Sequence, residues 1–174
     1  LALVIADGTF TRLQARWIGS DKLPSDRPVL VATEAAYPPY SFLDKKGKPT
    51  GFTVDLVQAI SEMTGMEVDP VYEPWSTIRH DLSHGHIDAV AGMFYSEERD
   101  KEFEFSAPFA VVHHAVFAHD QSPPLKSEDE LRGKRLIVMK DDIMHEYVLE
   151  HNLADSPTVV ASQAAAIRLL REKK

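Results

Sequence analysis

Arg99 is the residue whose type and position most directly suggest chemistry. It sits three residues after Ser96 and seven after Gly92, within Asp88-Ala-Val-Ala-Gly-Met-Phe-Tyr-Ser-Glu-Glu-Arg-Asp100. A planar guanidinium matches a carboxylate bidentately. A glycine turn beside it exposes backbone groups to a ligand, so the stretch points to a small-molecule site. From spacing alone, Arg99 also reads as a surface arginine paired with Glu97, Glu98 or Asp100, worth about 0–1 kcal/mol.

Other residues invite the same question. Tyr37 and Tyr40 flank two prolines and could offer flat apolar walls. His80 and His84 lie four apart, with His86 close by, and His113 and His114 are adjacent. Zinc would need convergent ligands. The first group reads as a solvated helix end, and one member of the second pair should face inward. Neither a metal nor a cofactor is expected. No nucleophile elbow, Walker loop or metal-binding helix motif is present, so no catalytic residue is assigned and the domain is not read as an enzyme.

The elements that hold these residues follow from hydrophobic spacing. The chain has 174 residues, 44% hydrophobic and 26% charged, which suits one core or one core and part of another. Its net charge of -8 argues against a nucleic-acid partner. It contains no cysteine, which excludes disulfides and thiolate metal sites.

Phe10, Leu13 and Trp17 predict a helix over 9–18, stopped by Gly19. Residues 20–27 read as a linker. Strands are expected at Val29–Ala32, Glu67–Tyr72, Ile87–Met93, Arg135–Met139 and Thr158–Ala161, with an extended stretch at Tyr40–Leu43 before a polar turn. Val54, Val57, Ile60 and Met63 predict a helix over Thr53–Thr64 closed by Gly65. Trp75, Ile78 and Leu82 mark another, ending at Gly85. Ser127 and Glu130 form a capping box. Helices are also expected at Met144–Glu150 and from Ser162 to Leu170, while Phe109–Ala118 reads as an extended crossover. Strands alternating with helices imply mainly parallel α/β sheets.

In this order, Tyr37-Pro-Pro-Tyr-Ser-Phe42, Gly47-Lys-Pro-Thr-Gly-Phe-Thr-Val-Asp55, Trp75, Gly85-His-Ile-Asp-Ala89, Ser96-Glu-Glu-Arg99, Phe105-Ser-Ala-Pro-Phe109 and Leu131-Arg-Gly-Lys134 resemble the bacterial extracellular solute-binding proteins of family 3. The resemblance implies a type II periplasmic-binding-protein fold, or Venus flytrap. Two lobes with mainly parallel sheets are joined by crossover strands and close on a ligand. Lobe 1 would span 28–112, and 113–174 would be part of an incomplete lobe 2. Residues 1–19 look like the end of such a domain, preceding or permuted. Tandem flytraps are typical of the family's membrane sensor kinases.

The same resemblance gives Arg99 the ligand's carboxylate and makes Tyr37, Tyr40 and Trp75 cleft aromatics. Gly92, Met93, Phe94 and Ser96 fall in the ligand-receiving segment. Phe94 stands where a serine or threonine is common, which removes a hydroxyl and narrows the pocket. The family's Gly-Thr-Thr is replaced by Lys140-Asp-Asp-Ile-Met144, so Asp141 or Asp142 could receive an amine or complement a helix dipole.

The expectation is the periplasmic sensing domain of an inner-membrane histidine kinase. It would bind a small carboxylate or amino-acid-like solute, with membrane tethering and a homodimer among its assemblies. The alternatives are a transporter's solute-binding protein and, further off, an enzyme on this fold. Removing Arg99 is expected to abolish carboxylate binding with little loss of folding.

Overall fold

The structure is a computed structural model that describes Pro24 and residues 26–172. The helix expected over 9–18 and the family-like segment 1–19 lie outside the described residues. The chain divides into two compact units between Met93 and Phe94. Residues 94–112, read from sequence as part of lobe 1, group with the second unit.

The first unit is built on β1 (Val29–Glu34), flanked in parallel by β5 (Val68–Glu73) and β6 (Ala89–Val90). Val29, Val31 and Ala32 of β1 are buried, as a central parallel strand covered on both faces requires. Its one buried hydroxyl, on Thr33, is satisfied by accepting from Ser41 Oγ at 2.9 Å. A short antiparallel meander of β2 (Ala36–Tyr37), β3 (Ser41–Leu43) and β4 (Pro49–Thr50) follows β1. The polar turn from Asp44 joins β3 to β4, and Asp44 Oδ1 accepts from the N–H groups of Lys46 and Lys48, both at 2.8 Å.

Helix α1 (Phe52–Thr64) ends as its sequence predicts, with Gly65 left-handed at φ 73°. Its buried side differs from the expectation. Ile60 and Met63 are exposed, whereas Thr53 is fully buried. Steps of three fall short of the 3.6-residue turn, so nine residues rotate Met63 half a circle away from Val54. Helix α2 (Trp75–Ser83) buries Trp75 and Ile78, which join Ile87 in the core.

The strand expected over Ile87–Met93 is paired only at Ala89–Val90. Gly92, at φ 102°, leaves the extended region and ends it. The apolar stretch Phe109–Ala118 has no paired strand, and Val111, Val116 and Phe117 are exposed. His113 and His114 are both exposed, so neither faces inward.

The second unit pairs β7 (Ile137–Met139) in parallel with β8 (Thr158–Val160). Leu131, Val138, Val148 and Leu153 form its core, with Leu125, Leu136, Tyr147 and Ala154 packed against it. Besides the one-turn α3 (Glu97–Asp100), its helices are α4 (Ile143–Glu150) and α5 (Gln163–Arg171). Ser162 caps α5 by accepting from Ala165 N–H at 3.2 Å. The expected capping box at Ser127 opens a 3₁₀ turn, Glu128–Leu131, without a side-chain bond from Ser127. Glu130 instead accepts from Lys126 N–H at 3.1 Å, because a 3₁₀ turn winds too tightly for the reciprocal pair. Among the described residues, no helix is long and apolar enough to cross a membrane.

Candidate functional site

The second unit centres its charge on Arg99, which is 1% exposed. Ser96 places it, because its Oγ caps α3 by accepting from Arg99 N–H at 3.2 Å. The guanidinium meets Glu146 of α4 side-on. Nε donates to Oε2 and Nη2 to Oε1, each at 3.0 Å. Nη1 donates to the Phe94 carbonyl at 3.2 Å, and Nη2 to the Asp141 carbonyl at 3.1 Å. The buried guanidinium is thus held by carbonyls and one carboxylate, a charge-assisted pair of the kind that also suits a bound carboxylate. Glu146 keeps 26% of its side chain exposed, so it is reachable from water.

Glu146 was not among the residues singled out from sequence. Local spacing points to the adjacent acids as partners of Arg99, whereas this pair spans 47 positions. The only available signal was an acid in the first turn of a helix that follows two aspartates. Asp141 is left-handed at φ 58°, which brings Asp142 to the N-cap of α4. There Asp142 Oδ1 accepts from Met144 N–H at 3.0 Å, with its residue nearly buried. Phe94 contributes a carbonyl to Arg99, and its ring packs edge-on against His114 at 4.9 Å.

The first unit holds the tyrosines. The rings of Tyr37 and Tyr40 stack at 5.5 Å across a cis Pro38–Pro39 bond, and Tyr40 meets Phe52 edge-on at 6.4 Å. The loop is fastened to α1, whose Phe52 and Thr53 N–H groups donate to the Pro39 and Tyr40 carbonyls at 3.1 and 2.8 Å. Gly51 makes this possible. Its φ is 123°, and a Cβ there would lie 2.4 Å from the Tyr40 carbonyl oxygen.

Trp75 is buried at the start of α2, whereas Gly92 is exposed and Met93 partly so. Asp88, at the head of the stretch that marked the site, serves the fold. It takes a bidentate contact from Arg27 at 2.7 and 2.8 Å and accepts from Leu30 N–H at 2.8 Å. The Arg27 hydrogen bond holds its carboxyl below the usual carboxylate range.

Comparison with known proteins covers most of this framework. The crystal structure of a histidine kinase sensor domain with similarity to periplasmic binding proteins is 36% identical, with a TM-score of 0.80 over 88% of this chain and 66% of that one. A probable amino-acid ABC transporter-binding protein of Haemophilus influenzae is 28% identical over 67% of this chain and 46% of its own length. A cyclohexadienyl dehydratase of Pseudomonas aeruginosa is 30% identical over 56% of this chain and 37% of its own. The chain therefore spans less than half the length of these two curated relatives. The model of the family matches residues 29–166, which takes in both parallel sheets and the segment carrying Arg99. By that match, the chain belongs to the bacterial extracellular solute-binding proteins, family 3.

Proposed function

We propose that this chain is part of an extracytoplasmic domain that senses a small carboxylate or amino-acid-like solute and signals across a membrane. The observation that carries the reading is the likeness to a histidine kinase sensor domain at 36% identity and a TM-score of 0.80. In the second unit, Arg99 supplies the anion anchor, with Ser96 holding its backbone and the Gly92–Phe94 segment leading into it. Asp142 is the proposed ammonium partner. In the first unit, the Tyr37–Tyr40 stack is the proposed flat surface for the ligand, and Trp75 is proposed as a further aromatic of the site. Binding would favour one conformation of the domain, and that population shift is the signal. Inner-membrane tethering, a kinase output and a homodimer belong to the same proposal.

A transport role is the second reading, and the Haemophilus relative favours it. The two separate on the full-length gene product. A membrane-spanning segment followed by a kinase module supports sensing, and a secreted protein ending with this domain overturns it.

The ligand class is tested by a thermal-shift screen of amino acids and small carboxylates on the complete domain. Stabilisation by a carboxylate-bearing compound is expected; a panel with no stabilising member would refute the assignment. Asp142→Asn sharpens the result, since asparagine caps a helix about as well as aspartate while losing the charge. The variant should fold normally and weaken amine-bearing ligands selectively. An unchanged selectivity profile removes Asp142 from the site.

A further inference from the structure

The end of α2 carries a cluster that the ligand-sensing reading does not use. His80 Nδ1 and His86 Nδ1 each lie 3.1 Å from the same oxygen of Asp81, and one ligand atom from each residue falls within 4.8 Å of the others. The fold itself produces this convergence. The helix stops at Ser83, and Gly85 turns left-handed at φ 70°. The chain then doubles back, so that His86 N–H donates to the Asp81 carbonyl at 2.8 Å. Ile87, buried in the core, pins the returning strand.

We infer that His80, Asp81 and His86 form a surface site for one late first-row divalent cation, of the Zn²⁺ or Cu²⁺ class. Two imidazole nitrogens and a carboxylate oxygen are the donor set these ions take, with metal–ligand bonds near 2.0–2.2 Å. Ligand atoms at such distances in a tetrahedral site stand about 3.3 Å apart, and each imidazole nitrogen is already near that separation from the carboxylate. On binding, each imidazole would carry its proton on Nε2, freeing the Nδ1 lone pair for the cation in place of the hydrogen bond to Asp81, with water completing the shell. Access is open, since the side chains of His80, Asp81 and His86 are 60%, 22% and 62% exposed.

His84 stands outside the triad. It stacks on His80 at 4.0 Å, and its Nδ1 contacts the His80 carbonyl at 2.8 Å. It serves as an internal control. This inference stands apart from the proposed ligand and survives if that reading fails.

Calorimetric titration of the tag-free chain with Zn²⁺ alone, then Cu²⁺ alone, tests it at neutral pH in a non-chelating buffer. One equivalent should bind, with affinity lowered at least tenfold in His80→Ala, His86→Ala and Asp81→Asn. His84→Ala should stay within threefold of the unchanged chain. The Cu²⁺ spectrum should show two nitrogen ligands, lost in the His80→Ala/His86→Ala double variant, with circular dichroism confirming that each variant is folded. Absence of saturable binding, or equal affinity in the double variant, would show that the cluster is only a hydrogen-bonded histidine–aspartate group.

Discussion

Arg99 shows how far a single residue can be read without its partners. Its type and the family resemblance point to an anion binder, and spacing alone to a surface ion pair, but its burial and its fork on Glu146 depend on a contact across 47 positions. That burial corrects the expectation that Arg99 can be removed with little cost to folding. Arg99→Ala should destabilise the chain by about 2–4 kcal/mol, because it removes a buried ion pair with Glu146 and the hydrogen bonds to the Phe94 and Asp141 carbonyls. A chemical denaturation curve measures this; a loss under 1 kcal/mol would show that those groups find water easily.

Glu146→Gln makes a cleaner probe of the binding role. It preserves shape and one of the two acceptor oxygens that meet the guanidinium while removing the resident negative charge. If Arg99 takes the ligand's carboxylate, the variant should bind it about three- to tenfold more tightly, since a partly exposed like charge costs on the order of 1 kcal/mol. Unchanged affinity would assign Arg99 to structure alone.

At the scale of elements, the legible parts are those governed by local rules. Gly65 closing α1, Ser162 capping α5 and the polar turn after β3 all follow from short-range chemistry visible in a few letters. The misread parts are set by what lies across the fold. The solvent exposure of Ile60 and Met63, the early end of β6 and the unpaired 109–118 stretch depend on which surfaces find neighbours. For α1 the spacing itself carries the correction, since three steps of three turn Met63 half a circle away from Val54.

Gly51 joins the two scales, and its substitution is diagnostic. Gly51→Ala would drive a methyl group into the Tyr40 carbonyl, so a loss of about 3 kcal/mol or more is expected, with the tyrosine loop displaced. Gly47→Ala meets nothing within 4 Å and should cost only about 1 kcal/mol for its positive φ. Equal losses in thermal unfolding would refute the close-contact argument.

The Asp88–Arg27 contact adds a pH dependence. Its folded pKa is depressed, so its stabilisation is full above the unfolded value near 3.8 and fades as pH falls through the lower folded one. Asp88→Asn should flatten the acid side of the stability curve in that window. An unchanged slope there would mean that the pair contributes nothing.

For the whole molecule, membership of the family was legible because several weak motifs occur in the right order across most of the chain. The proposed site was less legible, since the partner of Arg99 is Glu146, 47 positions away, a contact that no local spacing reveals. Net charge supplies a further test at this scale. The chain carries -8, so its long-range field repels an anion, whereas Arg99, as the proposed anchor, would attract one locally. Screening acts on the first effect far more than on the second, because the Debye length shortens from about 30 Å at 10 mM salt to about 8 Å at 150 mM, whereas contact with a buried guanidinium is hardly screened. Association of a net-anionic carboxylate should therefore speed up about two- to threefold over that range, with its dissociation rate nearly constant. A zwitterionic amino acid, with no net charge, should associate at one rate throughout. Stopped-flow traces of both ligand types would decide the matter. Slower association of the anion at higher salt would mean that the entrance to the site carries a positive local field strong enough to outweigh the rest of the molecule.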